Sequence, residues 1–349
     1  MSEIITGEVK QYKSSVVNDL SSNGGGMSDL PILTGIKNNV FPDVPQSDLV
    51  AGVTQLRKVF HKIENDDDEA LYLAQFCLIV VPPGDDEVSL IEGTLSNTQG
   101  DLTGSEDEYG IGDLSGDVSA GGSVIVVDVK TASKVFFRTA GTIFIYNGVN
   151  YEYFENVTVV QNVTQYTITL DSGDILGYDF DADDTVIAAV VDYGDIITSY
   201  TLNQAGVVSV AEYDDTTYPV VLDNIGTNEQ TFTITILSGG ATFSCVGSLI
   251  GSLANGDMLL DYEPSHAKFI KPYFSIDKSG WGVDWAEGDV LVLTTHPATA
   301  PIWRKRVVPA GAASYSSDGY KVRMRAQAGG VAETTSSSST STSTTTTIT

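Results

Sequence analysis

Three histidines, two cysteines and three tryptophans are the scarce reactive or recognition residues of this 349-residue chain, and their spacing keeps them apart. His61, His266 and His296 stand singly, so a catalytic triad or a histidine metal site requires that folding bring them together. His61 follows Phe60 in a strand pattern and reads as a structural residue. Cys77 and Cys245 lie too far apart in sequence for a disulfide framework or the close spacing of a zinc site, and both read as buried thiols. No nucleophile sits beside a base, no Walker or dinucleotide fingerprint appears, and the expectation is a non-enzymatic protein.

Carboxylates are abundant, 46 against 18 Lys and Arg. Pairs at the roughly 5 to 10 Å used by glycosidases therefore arise by chance in such a chain. A depolymerising hydrolase or a host-surface glycan-binding module would use Trp281, Trp285 and Trp303 as carbohydrate platforms, whereas the same rings equally suit a core. The sharpest cation signal is Asp179, Asp181 and Asp183 in the run DFDADD, where alternate aspartates offer oxygens to Ca²⁺. The EF-hand match ends there, since Asp184 stands where that loop needs Gly and Val190 where it needs Glu. Asn65 to Glu69 is a second acidic turn of the same quality. No other cofactor is expected.

A formal charge of -28 repels nucleic acid and anionic lipid and keeps a protein soluble at high concentration. Direct nucleic-acid binding and membrane insertion are not expected. The opening MSEIITGEVKQYKSS lacks a cationic start followed by an apolar core, which points to synthesis in a cytoplasm without a secretory signal. Between Thr139 and Ala267 there is no Lys or Arg but 18 Asp and Glu, an acidic middle whose ends suggest domain boundaries. Near the end, Arg304, Lys305 and Arg306 cluster, while Lys321, Arg323 and Arg325 alternate and so share one face of a strand. Arg304, Arg306, Lys321, Arg323 and Arg325 are the candidate docking surface for an acidic patch on another copy, with a solvated strand face as the alternative.

The elements that must position these residues are strands. Leu56 to Lys62 and Ala70 to Val80 read as a hairpin across the polar turn at Asn65 to Asp68, and Pro82-Pro83-Gly84 ends the second strand. Leu95 to Gly122 reads as a long connection. From Ser123 onward β-rich runs recur roughly every ten residues, separated by turns such as Asn147-Gly148, as in a sandwich or barrel. VVSVAEY, YPVVLDNI, TFTITIL, ATFSCVG and MLLDYEP continue that style, and Thr231 to Ile236 alternates most clearly. The fold expected is all-β, with several sandwich-like or barrel-like modules and very little helix. Its expected segments are 1–115, 116–205, 206–267, 268–330 and a Ser/Thr-rich tail, 331–349, too polar to order itself. A further expectation is that the two mixed-charge flanks pack together, with the acidic middle inserted between them.

Both flanks carry a resemblance. Asn38, Asn39, Phe41, Asp43 and Val44 match an "NN-F-DV" turn; Ala51, Gly52, Thr54 and Arg57 match an "AG-T-YR" strand in which Leu56 replaces the usual tyrosine; Asn65 matches a following "KN" turn. In the C-terminal flank Trp281, Trp285, Gly288, Asp289, Thr294, Ala300, Pro301, Trp303 and Arg306 match a closing module. These segments cover about a third of the chain and resemble a group of tailed-bacteriophage virion structural proteins. The resemblance implies a tail, baseplate or fibre-associated role, location in the virion after synthesis in the bacterial cytoplasm, and assembly with other copies and other virion proteins. A capsid-decorating protein is its rival. It brings no catalytic residues.

Overall fold

The computed structural model describes residues 6–33, 35–130, 135–315, 319–328 and 344–348. Strands hold 46% of the chain and helices 4%, so the protein is all-β. The one α-helix among the described residues, Gln46–Ala51, is six residues long. No helix there is long and apolar enough to cross a membrane.

The chain forms two compact units. The larger comprises Ile5–His61, Leu71–Asp195 and Ala300–Thr349; the smaller comprises Met1–Ile4, Lys62–Ala70 and Ile196–Thr299. These units cut the chain differently from the expected segments. Thr139, where the cation-free stretch begins, lies between the buried Phe136 and Phe137 and the barrel strand Gly141–Tyr146, so the change in charge marks no domain edge. Surface charge reports which side chains meet water, and it is independent of which strands share a core.

The larger unit holds three sheets. A five-stranded sheet runs in the order Gly24–Pro31, Val9–Val16, Val53–Ile63, Thr299–Val308, Glu87–Glu92. It joins the two flanks directly, with Ile302 opposite Glu92 and Val307 opposite Glu87. A four-stranded sheet runs Val191–Ile196, Leu71–Leu78, Val322–Ala328, Thr344–Ile348. The expected hairpin is therefore corrected: Val53–Ile63 and Leu71–Leu78 belong to different sheets, because strands distant in sequence occupy both edges of each. Of the Ser/Thr-rich tail, 331–343 and 349 lie outside the described residues.

Six antiparallel strands close a barrel in the order Gln165–Thr169, Val124–Asp128, Ile111–Leu114, Val186–Ala189, Gly141–Tyr146, Tyr151–Asn162. Alternation drives it: Ile125 and Val127 point inward from one strand and Tyr166 and Ile168 from its partner, joined by Phe154, Phe180 and Ile187. Gly112 is required where its strand meets its neighbour, since a Cβ there has no room beside the Asp128 carbonyl.

The smaller unit is a sheet in the order Ser199–Gly206, Val290–His296, Gln230–Ile236, Thr242–Gly247, Gly251–Ser252. The Thr231 to Ile236 alternation is realised, with Phe232, Ile234 and Ile236 buried. The expected strands at VVSVAEY, YPVVLDNI and MLLDYEP do not form. Isolated bridges such as Tyr213 with Trp281, Val221 with Ser275 and Tyr262 with Ile276 hold these segments instead. Pro219 and Pro264 interrupt any ladder, so the segments contribute Tyr213, Val220, Met258 and Tyr262 to the core without regular pairing.

Candidate functional site

A cleft of about 630 Å³ opens in the larger unit, within the range of small-molecule sites. One wall is the NN-F-DV turn, where Asn38 adopts a left-handed conformation (φ 61°) that Asn tolerates better than most residues. The turn inserts Phe41, only 7% exposed. The Arg306 guanidinium lies 4.8 Å from the Phe41 ring centroid and the Arg57 guanidinium 5.9 Å from it, while Tyr320 meets its edge at 6.1 Å. Arg306 also donates to the Pro42 carbonyl (2.8 Å) and, through Nε, to Gln55 (3.2 Å), with Asp86 at 3.9 Å. Three segments that carry the resemblance thus meet in one place.

Arg304 lines the same cleft and is 5% exposed. It donates to Gln11 Oε1 (3.0 Å) and to the Tyr320 hydroxyl (3.2 Å), and its Nε is buried without a partner. His61 lies 3.5 Å away through Nε2. Arginine has no lone pair to offer, so Nε2 is the acceptor and Nδ1 carries the proton that bonds the Ala300 carbonyl at 3.3 Å. Burial, and secondarily Arg304, push the His61 imidazole down to about 3, so it is neutral at physiological pH.

The structure moves the candidate docking surface indoors. Arg304 and Arg323 are buried, Arg306 is engaged as above, and Arg325 is half-buried. Arg323 lies 4.1 Å from the Tyr151 ring centroid and 4.9 Å from that of Phe144, and Arg325 lies 4.5 Å from that of Tyr153. Only Lys321 is exposed. Lys305 is held by Glu108 at 2.7 Å. Alternation did place Arg323 and Arg325 on one face, but that face packs on the aromatic Tyr151–Asn162 strand instead of facing solvent.

Asp179, Asp181 and Asp183 do not converge on a cation. They alternate with buried Phe180 on the barrel, so their carboxylates face outward, and Asp179 accepts from the Ala120 N–H at 2.8 Å. Among the described residues no group of three His, Cys, Asp or Glu is arranged to hold a metal. The acidic turn at Asn65 to Glu69 is occupied by Asn224, which donates to Asn65 Oδ1 (2.6 Å) and to the Glu69 carbonyl (2.9 Å), while its N–H bonds Asp68 (2.8 Å).

The tryptophans are packing residues. Trp303 is fully buried against Gly24, where a Cβ would approach its ring to 2.6 Å, and Trp285 is 8% exposed. Trp281 stacks edge-on with Tyr213 and Trp285. This removes the expected carbohydrate platforms. His296 pairs with Glu229 at 2.7 Å, and the His266 Nδ1 accepts from the Lys268 and Phe269 N–H groups. Both thiols are free and buried, and burial pushes Cys77 up to about 12 and Cys245 to about 11.

The cleft was not visible in the sequence because Gln11, Phe41, Asp86, Arg304 and Tyr320 come from separate elements. Phe41 offered one signal, an aromatic side chain inside a turn rich in Asn, Pro and Asp. No family model matches the chain, and no curated protein or solved structure does.

Proposed function

We propose that the chain is a non-enzymatic structural component of a tailed-phage virion, associated with the tail or baseplate and assembled in several copies. The observation that carries this reading is the meeting of its resemblance segments. Phe41 of the first turn is held by Arg57 and Arg306 of the others, and Gly52 approaches Ala310 so closely that a Cβ there would lie 3.0 Å from its N–H nitrogen. Segments that resemble one group of proteins, though far apart in sequence, pack against one another here, as parts of a common scaffold would. The histidines and thiols are each taken up in packing or hydrogen bonds, which accords with a structural role. The strongly acidic surface suits a part stored at high concentration before assembly.

Mass spectrometry and cryo-electron microscopy of particles purified from a host producing the chain test this reading. Stoichiometric copies at the tail or baseplate are expected. Copies on the head surface would move it to capsid decoration, and absence from the particle would refute it.

A further inference from the structure

We propose that the cleft beside Phe41 is a binding site for a carboxylate attached to a small apolar body, with Arg304 as its anchor. The charges lining the cleft are Lys37, Asp43, Asp86, Arg304 and Arg306. Lys37 pairs with Asp43 at 3.7 Å and Arg306 with Asp86 at 3.9 Å. Among the described residues each acid therefore has its own cation, and Arg304 is left over. Its partners, Gln11 and Tyr320, are neutral, and His61 beside it carries no charge.

A guanidinium withdrawn from water without a counter-charge is unfavourable unless a partner anion completes it. Its planar fork of donors matches a carboxylate, and the Tyr320 hydroxyl and Gln11 amide can share in that recognition. The rest of the lining supplies the apolar contact, through Ile32, Ile36, Val40, Val44 and Val88. Volume, an uncompensated cation and a greasy wall together define the ligand class.

Two sources share that chemistry: a free organic acid, or an Asp or Glu side chain of another protein segment. Calorimetric titration of the full chain separates them, using hexanoate, hexan-1-ol as its uncharged counterpart, and a peptide with the sequence of residues 179–184. Hexanoate or the peptide should bind one per chain, the alcohol at least about tenfold more weakly than hexanoate. The tighter of the two acids identifies the source. Arg304→Gln should weaken that acid roughly 30-fold or more, as loss of one partner of a buried charge pair does. Should that variant fail to fold, Tyr320→Phe, which removes one hydroxyl, should weaken it several-fold. Failure of both acids to bind, equal binding of hexanoate and hexanol, or full affinity in either folded variant overturns the proposal.

Discussion

Arg306 sits over Phe41 with its guanidinium 4.8 Å from the ring centroid, and this contact clamps the N-terminal turn onto the C-terminal strand Thr299–Val308. Arg57 stands over the same ring at 5.9 Å. A turn that would otherwise be a solvated loop is thereby made part of the core. Phe41→Ala removes the buried ring and both cation contacts, and should cost about 3 to 5 kcal/mol in urea unfolding of the larger unit. Phe41→Leu keeps apolar volume without the π face and should cost less. Near-full stability in Phe41→Leu would mean that the arginines contribute nothing through the ring.

The Arg323 contacts predict a gradient along one strand. Its guanidinium is buried between Tyr151 at 4.1 Å and Phe144 at 4.9 Å, whereas Arg325 has only Tyr153 at 4.5 Å and is half-buried. Arg323→Ala should therefore destabilise by roughly 2 kcal/mol or more, and Arg325→Ala by about 0.5 to 1. Chemical denaturation compares them directly. Were these residues an exposed docking face, both variants would keep full stability and lose only assembly.

These two sites also show what was legible in the sequence and why the rest was not. Period-two alternation located Phe232, Ile234 and Ile236, because burial on one face of a strand is a local property. The same alternation put Arg323 and Arg325 on a shared face, but what that face meets depends on Tyr151 and Tyr153, whose placement is set by barrel closure. The Leu56 to Val80 pairing failed for a related reason: neighbouring runs suggest a hairpin, yet each strand finds its partners far along the chain, Cys77 opposite Arg323 among them. DFDADD has calcium-like spacing without calcium-like convergence, since buried Phe180 turns its aspartates outward. The Arg304 cleft needs five segments at once, and no window of sequence contains it.

His61 predicts acid sensitivity. Its folded imidazole is pushed down to about 3, against roughly 6.5 in an unfolded chain. The unfolded state therefore binds the proton more readily between these values, so stability is unaffected above pH about 6.5 and declines as pH falls towards 3. The decline should amount to about a few kcal/mol, read as a falling urea midpoint. In His61→Gln that slope should flatten even though the variant starts less stable at pH 7. An unchanged slope would assign the acid sensitivity to other groups.

Asp289 adds a second source of acid sensitivity, in the smaller unit. Its side chain is fully buried and accepts from the Ser209 hydroxyl (2.6 Å), the Val208 N–H (2.8 Å), the Ser209 N–H (3.1 Å) and the Ala286 N–H (2.9 Å). These donors, the Ser209 hydroxyl foremost, hold the carboxyl down to about 2. Since the unfolded carboxylate titrates near about 3.9, the contribution is complete above that pH and is lost as pH falls towards 2. The arrangement ties the loop at Val208 and Ser209 to the start of the strand Val290–His296, so one ionised side chain closes two loops of the smaller unit. Asp289→Asn keeps one acceptor but turns an amide NH₂ towards at least one backbone N–H, of Ala286 or of Val208 and Ser209, which has no lone pair to offer. It should therefore lower the smaller unit's unfolding midpoint at pH 7 and remove this group's share of the acid transition below pH 4. Hydrogen exchange at the Val208 and Ser209 amides gives the local readout: faster exchange in Asp289→Asn at pH 7 is expected, and unaltered protection would show that the carboxylate does not hold the loop.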